Sequence, residues 1–121
     1  MPPRTARLAP VLAPAVLAAC VALQGPAMPD GPLRLDLDGA VFQAEIFPGA
    51  PGAMLTADGA RPVPGATLRL TREGRALARD EGALAKKAAR AGCTAAGGRF
   101  AEAALGRFDG AGAWVFPGGC A

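Results

Sequence analysis

The 121 residues include no His, Ser, Tyr or Asn, so reactive chemistry is confined to Asp, Glu, Lys, Arg, Thr and Cys. Without imidazole there is no ordinary neutral-pH base and no nitrogen ligand of the commonest kind for a metal. Without Ser and Tyr, a serine triad and a tyrosine acid are excluded. Two groups of residues remain whose types and spacing could do chemistry. Asp36 and Asp38 stand two apart at the end of an apolar alternation, where one carboxylate could attack and the other exchange a proton. Cys20, Cys93 and Cys120 could form thioether, disulfide or metal-thiolate bonds.

Around the aspartates, Leu35-Asp36-Leu37-Asp38-Gly39-Ala40 is similar to the first motif of haloacid-dehalogenase-type phosphatases, in which paired Asp residues follow an apolar strand. That resemblance implies a nucleophile at Asp36 and an acid/base at Asp38. It also implies a parallel sheet with crossover helices, a longer chain, and downstream Lys and acidic motifs. Here the segment after Gly39 reads as the second strand of a hairpin instead. A calcium loop is also excluded, because Ala40 and Phe47 fall where an oxygen ligand and a bidentate Glu belong. A strand running into an Asp-Gly turn accounts for both residues. The glycine pairs at 97–98 and 118–119 and Gly110-Ala111-Gly112 lack the Gly-Lys-Thr of a phosphate loop and read as turns. No catalytic residue, metal or cofactor is expected, and the chain reads as a non-enzyme.

The N-terminus carries an address. Arg4 and Arg7 precede an uncharged apolar run from Leu8 to Leu23, which Pro26, Pro29 and Gly31 close. Positive start, apolar middle and small residues near the end form the pattern of a secretion signal. The run is shorter than the ~20 residues of a bilayer span, and Pro10 and Pro14 lie inside it. Leu17-Ala18-Ala19-Cys20 resembles the lipobox of bacterial lipoprotein precursors. The resemblance implies a signal peptide over 1–19 and lipid attachment at Cys20, with a membrane as partner through several acyl chains. Val21 in place of Asp after the cysteine implies outer-membrane sorting. The alternative is ordinary cleavage after Ala27, with Gly25 and Ala27 as the small residues, which releases a soluble periplasmic protein. Removing Arg4 and Arg7 lowers the formal charge of +3 to +1, which leaves no footprint for nucleic acid.

The elements that must position these residues begin after a Pro-rich tether at 20–32. One small exported domain is expected over 33–121, with Gly 17 and Pro 12 in the whole chain supplying many turns. Leu33, Leu35 and Leu37 alternate with Arg34, Asp36 and Asp38, the period of a half-buried strand. Asp38-Gly39 turns it into a return strand over 40–47. Short strands are expected over 53–57 and 67–72. A helix follows, N-capped by Asp80, carrying Leu84, Ala88 and Ala91 at helical spacing and ended by Gly92. Its cations Lys86, Lys87 and Arg90 suit a solvated C-terminal half, with a basic partner site as the alternative reading. The last hairpin spans 104–108 and 113–116. Together these predict an α+β domain: a small, mainly antiparallel sheet with one helix.

In an exported chain Cys93 and Cys120 should pair, and the ring they close is worth roughly 3.5 kcal/mol. Two thiolates without His or Cys-x-x-Cys spacing make a poor zinc or redox site. Trp114 and Phe116 share one face of the final strand, with Val115 on the other. They belong to the core, or, if exposed, to a surface for an envelope protein partner. The expected function is that of a lipid-anchored, non-catalytic binding or structural domain of the cell envelope.

Overall fold

The computed structural model describes residues 25–121, so the expected signal peptide 1–19 and the lipid attachment residue Cys20 lie outside the described residues. Strand β1 (Leu33–Leu37) and strand β2 (Ala40–Phe47) form the antiparallel hairpin that the alternation predicts. Asp38 and Gly39 take φ of 52° and 79°, the mirror-image turn whose twist matches the strands it joins. Strands β3 (Gly52–Thr56) and β4 (Gly59–Val63) make a separate two-stranded ribbon. Strand β5 (Ala66–Arg72) pairs with β2. After helix α1 (Gly82–Ala95), strands β6 (Arg107–Phe108) and β7 (Trp114–Cys120) complete a five-stranded sheet in the order β1-β2-β5-β7-β6. Every named pairing is antiparallel. The fold is therefore α+β, one helix against one antiparallel sheet.

The core lies between α1 and one face of the large sheet. Phe42, Ala44 and Ile46 of β2, Leu68 and Leu70 of β5 and Phe116 of β7 supply the sheet side. Alternation sends these residues to one face and Val41, Gln43 and Arg69 to the other. The helix answers with Ala85, Ala88, Ala89, Gly92 and Cys93, all small. Small residues let the helix axis lie close to the sheet, and Gly92 marks a point of close approach. A Cβ there would sit 2.9 Å from Ala44 Cβ and 3.4 Å from Leu35 Cδ1.

The helix ends differ from expectation. Gly92 does not terminate α1, which runs on to Ala95 because the glycine is needed where backbone meets sheet. The end is made by Gly97, at φ 82°. Its amide donates to Thr94 O at 2.9 Å, and the Gly98 amide donates to Cys93 O at 2.9 Å, satisfying carbonyls of the last turn. Cys93 accordingly lies within the last turn and not beyond it. At the other end Glu81, not Asp80, occupies the cap position, and its side chain makes no capping bond. Glu81 turns instead to Arg72.

Further departures concern strands, and β6 covers only Arg107–Phe108 of the expected 104–108 because the chain at 101–106 turns before it reaches β7. Strand β4 was not expected, since Arg61-Pro62 interrupts any apolar alternation; the ribbon tolerates proline because only one of its edges is paired with β3. Strand β7 continues through Pro117, Gly118 and Gly119 to Cys120, past the expected end at Phe116. A bulge allows it: Leu68 faces Phe116 and Ala66 faces Cys120, so Thr67 spans three residues of β7. The buried Thr67 hydroxyl accepts the Gly118 amide at 3.3 Å. Gly118 has φ 69°, and a Cβ on it would fall 1.7 Å from Val63 O, so glycine is required on both counts.

Candidate functional site

Cysteine chemistry is the most tightly positioned feature of the domain. Cys93 comes from the last turn of α1 and Cys120 from the end of β7; both are fully buried and joined by a disulfide, with Cα atoms 5.5 Å apart. Around it the chain end is laced into the fold. Arg99 and Ala121 exchange two backbone hydrogen bonds, and the Ala101 amide donates to Gly119 O at 2.8 Å. The bond thus ties helix, final strand and chain end together.

The proline-rich stretch ahead of β1 is not wholly free. The Ala27 amide donates to Ala96 O at 3.0 Å, just past the helix. A Cβ on Gly98 would come within 2.9 Å of Pro26 Cβ, so residues 26 and 27 pack against the helix C-terminus. Farther along, Pro29, Asp30 and Pro32 border a shallow groove of about 220 Å³ beside Glu45 and Phe47.

The two aspartates of the strand–turn motif do not share a cleft. Asp36 is exposed on β1, on the face opposite the leucines that pack on the core. Asp38 lies in the turn, and its carboxylate accepts a hydrogen bond from Lys87 Nζ at 2.7 Å in an exposed ion pair. The next element is strand β2 rather than a crossover helix. Among the described residues no three Cys, Asp or Glu side chains gather where they could hold a metal ion.

The helix cations are similarly engaged. Arg90 forms a two-pronged pair with Glu102, whose carboxyl is held below its usual range chiefly by that hydrogen bond, and the Arg90 guanidinium is raised in turn. Lys87 is the partner of Asp38, so of the three only Lys86 makes no ion pair among the described residues.

Trp114 is half-buried and Phe116 buried. The indole N–H donates to Ala78 O at 2.9 Å, and its ring stacks at 6.5 Å from Phe116 and tilts at 6.0 Å from Phe108. Gly82, the first residue of α1, leaves room for the ring: a Cβ there would be 2.9 Å from the indole. Arg79 lies over the Phe108 ring at 5.2 Å. The aromatic residues thus floor the helix N-terminus, and the fully exposed patch weighed from sequence is not formed.

One charged site escaped the sequence reading. Arg72 Nη1 donates to Glu81 Oε2 at 2.7 Å and Nη2 to Oε1 at 2.8 Å, while Nε and Nη2 also donate to Arg75 O and Ala76 O. Glu81 further accepts the Ala78 amide at 3.0 Å. The Arg72 hydrogen bond foremost, and then that amide, pull the Glu81 carboxyl down to about 2. A signal for it existed. Arg72 continues the register of Leu68 and Leu70 and so places a charge on the core face, which demands a partner. Asp109 is a smaller case: amides of Ala111 and Ala113, and then Arg69, hold its carboxyl below its usual range.

No protein-family model matches the chain, and no curated protein or solved structure matches it either.

Proposed function

We propose that this chain is an exported, non-catalytic protein of the bacterial cell envelope, held at a membrane by lipid on Cys20 and presenting its α+β domain as a binding or structural module. The observation that carries the reading is the buried Cys93–Cys120 disulfide. Such bonds persist in oxidising compartments and are rare in the cytosol, in keeping with a signal-like N-terminus. The separate placing of Asp36 and Asp38 supports the non-catalytic part.

Contacts of residues 26 and 27 favour the lipobox cut over ordinary cleavage. Cutting after Ala27 would strip away Pro26 and the Ala27 amide that bonds Ala96 O. Processing at Cys20 keeps them.

The test is fractionation of cells expressing wild type and Cys20→Ala, with intact mass of the extracted protein. Wild type should partition with membranes, beginning at residue 20 with added acyl mass and two fewer hydrogens for the disulfide. Cys20→Ala should lose both cleavage at that point and the acyl mass. An unmodified wild-type mass starting at residue 28 would replace the anchored reading with the soluble periplasmic one.

A further inference from the structure

We infer that β1 is a self-recognition edge, through which two copies of this chain join antiparallel to form a continuous ten-stranded sheet. The hairpin fixes which backbone groups are available. Leu37 pairs with Ala40 across a two-residue turn, so Leu33, Leu35 and Leu37 direct their amides and carbonyls inward to β2. Those of Arg34 and Asp36 point outward, where among the described residues no strand and no backbone hydrogen bond meets them.

Other edges are blunted by shortness, proline or cover, and this one is not. Strand β6 is two residues long, and β4 carries Pro62. The Leu105 amide occupies Ala53 O on β3. Strand β1 has five residues with no proline, no bulge and no charge facing the core; the edge charges it does carry, Arg34 and Asp36, are of opposite sign and repel a neighbouring strand only where like faces like.

Charge then selects both the partner and the register. Outward-pointing residues must face outward-pointing residues, so only even-numbered positions can exchange hydrogen bonds across the new seam. Setting Arg34 opposite Arg34, or Asp36 opposite Asp36, places like charges in contact. With the two-fold axis at Leu35, Arg34 of each copy, which within its own chain makes a loose, exposed ion pair with Glu73 at 3.7 Å, faces Asp36 of the other, twice over. The same register sets Leu35 against Leu35 and Leu33 against Leu37 on the helix side. These three leucines are only partly buried at the rim of the core, and the second copy covers them. The contact is isologous and closes at two chains.

Charge reversal tests the seam on the full chain purified from the envelope, with native mass spectrometry and sedimentation as readouts. Wild type should dimerise. Arg34→Asp and Asp36→Arg each set like charges face to face, and should raise the dimer dissociation constant about tenfold or more. Mixed together, the two variants should form the heterodimer, since one presents only acids and the other only bases. The double variant Arg34→Asp/Asp36→Arg should dimerise like wild type. Both positions are exposed, and unchanged circular dichroism checks the fold. A monomeric wild type overturns the inference. So does a dimer indifferent to the single reversals, or a mixture that gives no excess of heterodimer.

Discussion

Replacing Gly92 by alanine should destabilise the domain, although alanine is the better helix former. The added carbon would lie 2.9 Å from Ala44 Cβ and 3.4 Å from Leu35 Cδ1. Carbon atoms in contact prefer at least about 3.5 Å, so the overlap at Ala44 is about 0.6 Å. Ala44 cannot swing aside, because its Cβ is fixed to a strand paired on both sides, with Leu33 of β1 and Leu70 of β5. The helix must therefore lift. Overpacking of this kind costs about 1–3 kcal/mol, while the gain in helix propensity returns about 1 kcal/mol. The net expectation is a loss of about 1 kcal/mol. Ala44→Gly should remove the clash: it destabilises wild type, but in the Gly92→Ala background its cost shrinks or reverses, a coupling of about 1–2 kcal/mol. Urea unfolding followed by fluorescence of Trp114, the only tryptophan, measures all four proteins under non-reducing conditions. If Gly92→Ala gains about 1 kcal/mol, or the two changes simply add, the close approach of helix to sheet is not what makes glycine necessary.

Other expectations follow from the same geometry. Converting Cys93 and Cys120 to alanine should lower stability by roughly 3.5 kcal/mol, and dithiothreitol should bring wild type down to the same denaturation midpoint. Glu81, held at about 2 in the fold against 4.5 unperturbed, contributes stability that is fully present above pH 4.5 and lost as pH falls through 2. Acid titration of Glu81→Gln should thus be flatter than wild type across that window, and parallel curves would sink the assignment. Trp114→Phe deletes the bond to Ala78 O and should cost about 1–2 kcal/mol in chemical denaturation. Gly118→Ala, forced against Val63 O at a left-handed φ, should cost more than 2 kcal/mol or fail to yield folded protein.

Much of the architecture is legible in local pattern. The Leu-x-Leu-x-Leu alternation and Asp38-Gly39 give the first hairpin to the residue, because period and turn chemistry agree. The alanine-rich stretch gives α1, and two cysteines in a domain expected to be exported give their bond. What local pattern hides is distance. Gly92 looks like a helix stop because a contact 48 residues away, with Ala44, is invisible in its neighbourhood. Pro117-Gly118-Gly119 looks like a turn, yet a threonine on the adjacent strand bridges it into a bulge. Asp80 is the better capping residue by type, but Arg72 claims Glu81 and sets where the helix begins. Of the candidate sites, cysteine pairing could be read directly. Whether Trp114 faces core or solvent could not, since that depends on what the helix N-terminus lays over it.

The docking of Pro26 and Ala27 against the helix end shortens the leash on which the domain would hang. A free linker from residue 20 to residue 32 could let the domain roam about 40 Å from a bilayer. With the chain pinned by residue 26, six peptide links remain, spanning at most about 20 Å. A lipid on Cys20 would then hold one pole of the domain close to the headgroups: the pole where Gly98, Arg99 and Ala121 meet and the disulfide lies beneath. The opposite pole, with Trp114 under the start of α1, would look outward, away from the bilayer. Orientation, on this view, is written into one backbone hydrogen bond from Ala27 to Ala96.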